Sequence, residues 1–144
     1  MDEPKLTLLS ADTTTHEPLP LAGASVKAGF PSPAEDFLEG PLDLNRALIH
    51  NPASTFFVRV EGDSMSGAGI DDGDLLIVDR SIVPDDGRVA ICYVDGEFTV
   101  KRLQREPNAW LLVPANPKYR PIRVDASNEL VIWGIVSYVI KAMP

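Results

Sequence analysis

The sequence predicts a mainly β fold of antiparallel strands, and three features of residues 55–144 support this prediction. Hydrophobic side chains alternate with a period of two from Phe56 to Val60, as in a strand with one buried face. Asp95-Gly96 separates two strand-like segments, and this dipeptide is typical of a two-residue hairpin turn. Short apolar segments continue to the C-terminus between turns that contain Pro, Asn or Gly.

The composition restricts the class of protein. A chain of 144 residues suits one domain with a substantial core. Its net charge of −8 argues against direct, sequence-specific DNA binding, which normally needs clustered cations. The single Cys92 cannot form an internal disulfide, and neither a secretory signal nor an apolar run of about 18 residues is present. We therefore expect a cytoplasmic protein without a membrane span.

The N-terminal part of the chain is predicted to differ from the rest. Residues 1–28 show no sustained helix or strand period, which predicts a flexible leader. Residues 34–49 have helical spacing, which predicts one or two short helices interrupted at Gly40-Pro41. Asp43 is expected in a first helical turn, and Asn51-Pro52 ends the run.

After Ser54 the pattern indicates strands separated by short turns. Residues 75–78 form a continuous apolar run, which predicts a strand buried on both faces. The predicted strands are 56–60, 75–78, 88–94, 97–103, 110–113, 122–124 and 131–140.

One loop and one strand carry a candidate catalytic pair. The Gly-rich loop that ends the Val58–Ile70 segment presents Ser64, and Lys101 follows 37 residues later within a predicted strand. A serine with a nearby lysine is the arrangement used for Ser-Lys nucleophilic hydrolysis. The lysine acts as a base near neutral pH only where desolvation disfavours its ammonium form. Backbone N–H groups of Asp63, Ser64 and Met65 are candidates to stabilise the oxyanion.

The hairpin at Asp95-Gly96 also predicts the surroundings of the lysine. If these two residues form the turn, Ala90 lies opposite Lys101, and opposed residues share a face of the sheet. Lys101 then shares its face with the small residues Ala90, Cys92 and Thr99. We therefore expect a partly apolar cavity around the amine.

Other sites are less well supported. His16 lies in the predicted leader and His50 follows a predicted helix end, so neither suits a Ser-His-Asp triad. One cysteine and two histidines do not have zinc-ligand spacing. We predict no metal and no cofactor. Four aspartates without EF-hand spacing are interpreted as turn and solubility residues: Asp71, Asp72, Asp74 and Asp79.

Several segments resemble the UmuD branch of the LexA-type (S24-type) self-cleaving peptidases. They are Ala28-Gly29-Phe30-Pro31-Ser32-Pro33, Asp43-Leu44-Asn45, Glu61-Gly62-Asp63-Ser64-Met65, Gly69-Ile70-Asp71-Asp72-Gly73-Asp74, Asp95-Gly96-Glu97-Phe98-Thr99-Val100-Lys101 and Val139-Ile140-Lys141-Ala142-Met143. The resemblance implies a compact LexA-like peptidase domain of twisted antiparallel strands, with one or two short helices and an extended N-terminal tail. It implies Ser64 as the nucleophile, Lys101 as the general base and a cut between Ala28 and Gly29. Residues 1–28 would be the leader and 29–144 the peptidase domain.

The same resemblance implies a role in the SOS response to DNA damage. Cleavage would be stimulated by a RecA filament on single-stranded DNA. The trimmed homodimer would bind a UmuC-like Y-family polymerase subunit and support translesion synthesis, a DNA-repair activity that leads to SOS mutagenesis. The chain has Ala28, as LexA does, at the position where UmuD proteins often have cysteine. Only 28 residues precede the predicted cut, which favours a polymerase accessory over a repressor.

Three alternatives remain at this point. A LexA-like transcriptional repressor would bind a specific operator DNA. A signal-peptidase-like Ser-Lys enzyme would need a membrane anchor. A non-catalytic β-domain would dock on a polymerase without any change in its own mass.

Overall fold

The computed structural model describes residues 6–14, 19–22 and 38–144, which fall into two units. One unit comprises residues 6–11 and 51–144, and the other comprises residues 12–14, 19–22 and 38–50. The described strands are β1 (Leu6–Ser10), β2 (Leu19–Ala22), β3 (Leu38–Leu42), β4 (Thr55–Val60), β5 (Leu75–Asp79), β6 (Val89–Val94), β7 (Glu97–Glu106), β8 (Ala109–Val113), β9 (Ile122–Val124) and β10 (Leu130–Ile140).

The larger unit is built on one antiparallel sheet. Within the described residues, eight strands pair in the order β1-β4-β5-β10-β6-β7-β8-β9. Two 3-10 turns, Pro52–Ser54 and Ser66–Ala68, precede β4 and follow it. The prediction of a mainly β fold is confirmed, and the strands from β4 onward lie within a few residues of their predicted bounds.

The β6–β7 hairpin has the predicted register. Asp95 and Gly96 have φ angles of 46° and 91°, as a two-residue turn of this kind requires. Ala90 pairs with Lys101, and Cys92 pairs with Thr99. The prediction that these four residues share one face of the hairpin is therefore confirmed.

Alternate positions of the hairpin contribute to two hydrophobic clusters. The first cluster contains Val58, Val60, Met65, Ile70, Leu76, Val78, Ile91 and Val100. The second contains Ala90, Cys92, Leu103, Leu112, Val124 and Ile135. Burial of one large aliphatic side chain contributes about 1.5–3 kcal/mol to folding, so these clusters hold the sheet together. Lys101 is buried on the face of β7 that carries Leu103 of the second cluster.

The N-terminal prediction was wrong in two respects. Residues 6–10 form a strand that pairs with β4, and residues 19–22 pair with β3, although no strand was predicted there. Strand pairing uses backbone groups, so it needs no hydrophobic period in the added strand. The predicted helix is absent over residues 38–42, where Pro41 lacks the backbone N–H that a helix interior uses.

A short helix does form where part of the prediction placed it. Helix α1 spans Leu44–Leu48 and belongs to the smaller unit. The Asp43 carboxylate accepts a hydrogen bond from the Asn45 N–H at 3.0 Å, so Asp43 is the N-cap rather than a first-turn residue.

Two of the four aspartates that were interpreted as turn and solubility residues, Asp74 and Asp79, are buried. Asp74 forms an ion pair with Lys141, which ties the end of the chain to the loop before β5. Asp79 accepts hydrogen bonds from Ser81, Asn51 and Ser54. Burial alone would raise the pKa of Asp79, but these hydrogen bonds outweigh it and lower the pKa.

Candidate active site

Ser64 lies in a tight loop that follows β4. The Met65 carbonyl accepts hydrogen bonds from the N–H groups of Ala68 at 3.0 Å and Ile70 at 3.2 Å, which closes the loop behind the serine. Gly69 ends the 3-10 turn with a φ of +79°, a conformation that favours glycine. Met65 is 2% exposed and belongs to the first cluster. The loop is thus fixed to the core one residue after Ser64.

The structure brings Ser64 and Lys101 together. The Lys101 Nζ lies 3.3 Å from the Ser64 Oγ and 2.6 Å from the Thr99 Oγ1. Lys101 is 0% exposed and Ser64 is 1% exposed. The predicted proximity of hydroxyl and amine is therefore present, in surroundings with almost no solvent.

The residues that share the sheet face with Lys101 are small and mostly apolar, as predicted. Ala90 lies opposite Lys101 on β6, and Cys92 lies one position further along the same face. Both are completely buried. Burial raises the pKa of the Cys92 thiol to about 12, although the positive charge of Lys101 acts in the opposite direction.

The buried Cys92 thiol is expected to be inert in the folded protein. A thiol reacts as its thiolate, and a pKa of about 12 leaves almost none at neutral pH. We expect a disulfide reagent to modify native Cys92 at least about 100-fold more slowly than urea-unfolded Cys92. Rapid stoichiometric labelling of the native protein would contradict the burial of this face.

Two backbone donors beside the serine are available to a substrate. Among the described residues, the N–H groups of Ser64 and Met65 donate to no backbone carbonyl. The carbonyl of Ser64 accepts from the Ala115 N–H at 2.8 Å, and the carbonyl of Asp63 accepts from the Asn116 side chain at 2.9 Å. Of the three predicted oxyanion donors, the amides of Ser64 and Met65 remain candidates, whereas the Asp63 N–H interacts with the Asp63 carboxylate.

Asp63 interacts mainly through its side chain. Its Oδ1 accepts a 2.6 Å hydrogen bond from the Tyr119 hydroxyl, and its Oδ2 lies 2.9 Å from the Lys118 Nζ. The Tyr119 hydroxyl and, next, the Lys118 amine lower the pKa of the Asp63 carboxyl. Asp63 is therefore an anion tied to the segment that contains Lys118 and Tyr119.

A pocket of about 410 Å³ lies at the turn end of the β6–β7 hairpin. Thr99 contributes to its wall, together with Val94, Phe98 and Ile122. Thr99 therefore belongs both to the wall of this pocket and, through its hydroxyl, to the surroundings of the Lys101 Nζ.

The sequence missed several residues of the site. Thr99 was placed on the correct face but was regarded only as a small neighbour, although its position two residues before Lys101 makes a contact between their side chains feasible. Asn116 and Tyr119 contact Asp63 across more than 50 residues of sequence, and no local pattern announces such contacts.

Some predictions fall outside this region. Ala28, Gly29 and His16 lie outside the described residues. No group of three His, Cys, Asp or Glu side chains within residues 6–14, 19–22 and 38–144 is arranged to hold a metal ion. None of the described helices has the length and hydrophobicity of a membrane-spanning helix.

Comparison with known proteins identifies the family. Residues 20–137 match the family described as Peptidase S24-like. The chain belongs to this family. S24-like proteins are in general self-cleaving serine peptidases, so the predicted resemblance to the LexA and UmuD group is confirmed.

Individual S24-like relatives cover most of the chain. Protein SamA of Salmonella typhimurium strain LT2 is 49% identical over 118 residues, which are 82% of this chain and 81% of SamA. Protein ImpA of Escherichia coli is 46% identical over 122 residues, which are 84% of this chain and 82% of ImpA. The LexA repressor of Acidithiobacillus ferrooxidans is 44% identical over 121 residues, which are 82% of this chain and 58% of the repressor.

Proposed function

We propose that this S24-like protein cuts its own chain between Ala28 and Gly29, with Ser64 as nucleophile and Lys101 as general base. The 3.3 Å separation of the Lys101 Nζ and the Ser64 Oγ, both without appreciable solvent exposure, is the observation that carries the proposal. Residues 1–28 are then the leader that is removed, and residues 29–144 are the mature protein.

The proposed reaction follows the usual course of hydrolysis by a serine with a neighbouring base. The neutral Lys101 amine takes the Ser64 hydroxyl proton as the Oγ attacks the Ala28 carbonyl carbon. The amides of Ser64 and Met65 stabilise the oxyanion. Collapse of the intermediate breaks the Ala28–Gly29 bond, and Lys101 returns the proton to the leaving Gly29 amine. Lys101 then deprotonates a water molecule, which attacks the acyl carbon, and Lys101 returns this proton to the departing Ser64 Oγ as the Ala28 carboxyl group forms.

The dry surroundings of the amine support its role as a base. An ammonium ion that loses its hydration is disfavoured relative to the neutral amine. The Thr99 hydroxyl at 2.6 Å holds the Nζ beside the serine. When the amine is neutral, its lone pair can accept the Ser64 proton across the 3.3 Å separation of the Lys101 Nζ and the Ser64 Oγ.

The cellular role proposed here is that of an SOS mutagenesis accessory protein. The relatives that cover most of the chain, including proteins SamA and ImpA, support this role. A RecA filament on single-stranded DNA would stimulate the cut in the cytoplasm. The trimmed homodimer would then bind a UmuC-like Y-family polymerase subunit during translesion synthesis.

The cleavage proposal is tested by the intact mass of the full chain during incubation. We expect a product that begins at Gly29, formed faster as the pH rises from about 7 to about 9, because a general base acts in its unprotonated form. Activated RecA filaments should accelerate the same cut. The matched control is Ser64→Ala, which should keep its full mass. A rate that is flat or falls over this range would refute Lys101 as the base.

The upper pH limit of this experiment follows from Cys92. Folding raises the pKa of this thiol from 9.0 to about 12, so the unfolded chain loses the thiol proton first as the pH rises. The stability from its burial is complete below 9.0 and declines between 9.0 and about 12. Rates measured below this window report on the chemistry rather than on unfolding.

The likeness to a LexA repressor provides a second candidate function. A repressor would bind a specific operator duplex, whereas the net charge of −8 disfavours such binding. A gel-shift titration at moderate salt separates the two, because only a repressor would give a sequence-dependent complex.

A further inference from the structure

Residues 115–119, which we call the clamp segment, contact the Ser64 loop at several points. The Ala115 N–H donates to the Ser64 carbonyl at 2.8 Å, and the Gly67 N–H donates to the Ala115 carbonyl at 2.7 Å. The Asn116 side chain donates to the Asp63 carbonyl at 2.9 Å. The clamp segment therefore holds the backbone on both sides of the nucleophile.

Because each peptide group is planar, these contacts also fix the directions of two N–H groups, those of Ser64 and Met65. In a planar trans peptide, the N–H of one residue points opposite to the carbonyl of the residue before it. When Asn116 holds the Asp63 carbonyl, it therefore fixes the direction of the Ser64 N–H. When Ala115 holds the Ser64 carbonyl, it fixes the direction of the Met65 N–H in the same way. Both are the proposed oxyanion donors.

The contact between Asp63 and Tyr119 adds a side-chain tie to this arrangement. Tyr119 is 7% exposed, and its hydroxyl lies 2.6 Å from the Asp63 Oδ1, which is the length of a strong, charge-assisted hydrogen bond. The Lys118 amine contacts the same carboxylate, but its side chain is 67% exposed. Ion pairs exposed to this degree contribute little to stability. Tyr119 is thus the member of the pair that restricts Asp63.

We infer that Asn116 and Tyr119 are positioning residues, which aim the amide of Ser64 at the oxyanion by fixing Asp63. This inference rests on the proposed self-cleavage and extends it to residues that do not touch the reacting atoms. Loss of one oxyanion donor typically costs about 10²–10³ in rate. Loss of a group that orients such a donor should lower the cleavage rate by a smaller factor, about 10-fold or more.

The test compares the self-cleavage of Tyr119→Phe and Asn116→Ala with that of the unaltered chain. Tyr93→Phe is the matched control, because it removes a hydroxyl from a tyrosine that packs on Phe98 rather than on Asp63. We expect each clamp variant to cut about 10-fold more slowly at every pH, with the same rise with pH. The Tyr93→Phe chain should cut at the normal rate, and all variants should unfold at similar urea concentrations.

A double-mutant cycle and an activity-independent measurement complete the test. Asp63→Ala combined with Tyr119→Phe should be no slower than Asp63→Ala alone, because both changes remove one contact. In the Ser64→Ala background, which is not cut, the amide of Ala115 should exchange its hydrogen faster after Asn116→Ala.

The outcomes separate this inference from the proposed function. Clamp variants that are cut as fast as the unaltered chain would overturn the inference and leave the self-cleavage proposal standing. Rate losses that add up in the double variant, or that merely follow a loss of stability, would also overturn it. An unaltered chain that never cuts itself would overturn the proposed function and the inference together.

Discussion

Replacement of Lys101 with methionine is expected to abolish self-cleavage while the protein remains folded. Lys101→Met removes the amine that lies 3.3 Å from the Ser64 Oγ but keeps an unbranched side chain of similar length. General-base catalysis typically contributes about 10²–10⁴ in rate, so the intact mass should stay constant over many half-lives of the unaltered chain. The measurement is intact mass against time at alkaline pH, with and without RecA filaments.

Methionine separates the loss of the base from the loss of the fold. Lys101→Ala would leave a cavity in a fully buried position, which typically costs about 2–5 kcal/mol for long side chains. With methionine, two effects on stability oppose each other: removal of a buried polar group stabilises the fold, and loss of the hydrogen bond to Thr99 destabilises it. We therefore expect the free energy of unfolding to change by less than about 2 kcal/mol. Cleavage of the Lys101→Met chain at a normal rate would exclude the amine from the mechanism.

Gly67→Ala is expected to slow cleavage strongly and to destabilise the protein. An added Cβ at residue 67 would lie 2.5 Å from the Ala115 carbonyl oxygen, a backbone atom that cannot rotate away. The Ser64 loop and the clamp segment must then separate, and the 2.7 Å hydrogen bond between Gly67 and Ala115 is lost. Forced overpacking of this kind typically costs about 1–3 kcal/mol. We expect a decrease in the cleavage rate of about 100-fold, comparable with loss of an oxyanion donor.

The matched control for this change is Gly73→Ala. Gly73 has a φ of +87°, and a Cβ added there would meet no heavy atom within 4 Å, so the substitution costs only backbone strain. Such strain is about 1–2 kcal/mol, similar to the destabilisation expected at residue 67. Urea unfolding should show comparable losses for both variants, while the self-cleavage assay should show a defect only for Gly67→Ala. A cleavage defect of the same size in both chains would mean that stability, not loop position, sets the rate.

The strands of the sheet were predictable because their local pattern and their burial agree. The alternation in Thr55–Val60 matches a strand with one buried face, and the apolar run in Leu75–Asp79 matches a strand buried on both. The Asp95-Gly96 turn fixed the hairpin register, and the register placed Lys101 on the face of Ala90. A short-range signal thus predicted a long-range contact.

The remaining contacts have no local signal. Residues 6–10 and 19–22 form strands through backbone pairing, which their side-chain pattern does not encode. The spacing of Leu38 and Leu42 suggested a helix, but Gly40-Pro41 between them suits a strand in a two-stranded sheet. The ties from Asn116 and Tyr119 to Asp63 depend on how distant loops meet, which only the folded chain reveals.

The pairing of β1 with β4 has a consequence for what happens after the proposed cut. Leu6 to Ser10 lie opposite Val60 to Phe56 at one end of the sheet order, so β1 occupies the outer edge of β4. Hydrolysis at residue 28 would break the covalent link but none of these interstrand bonds. Bond scission and product dissociation would therefore be separate events, with a nicked two-piece species between them. Only departure of the excised peptide would leave β4 with an unpaired row of amides and carbonyls, open to a strand from another polypeptide.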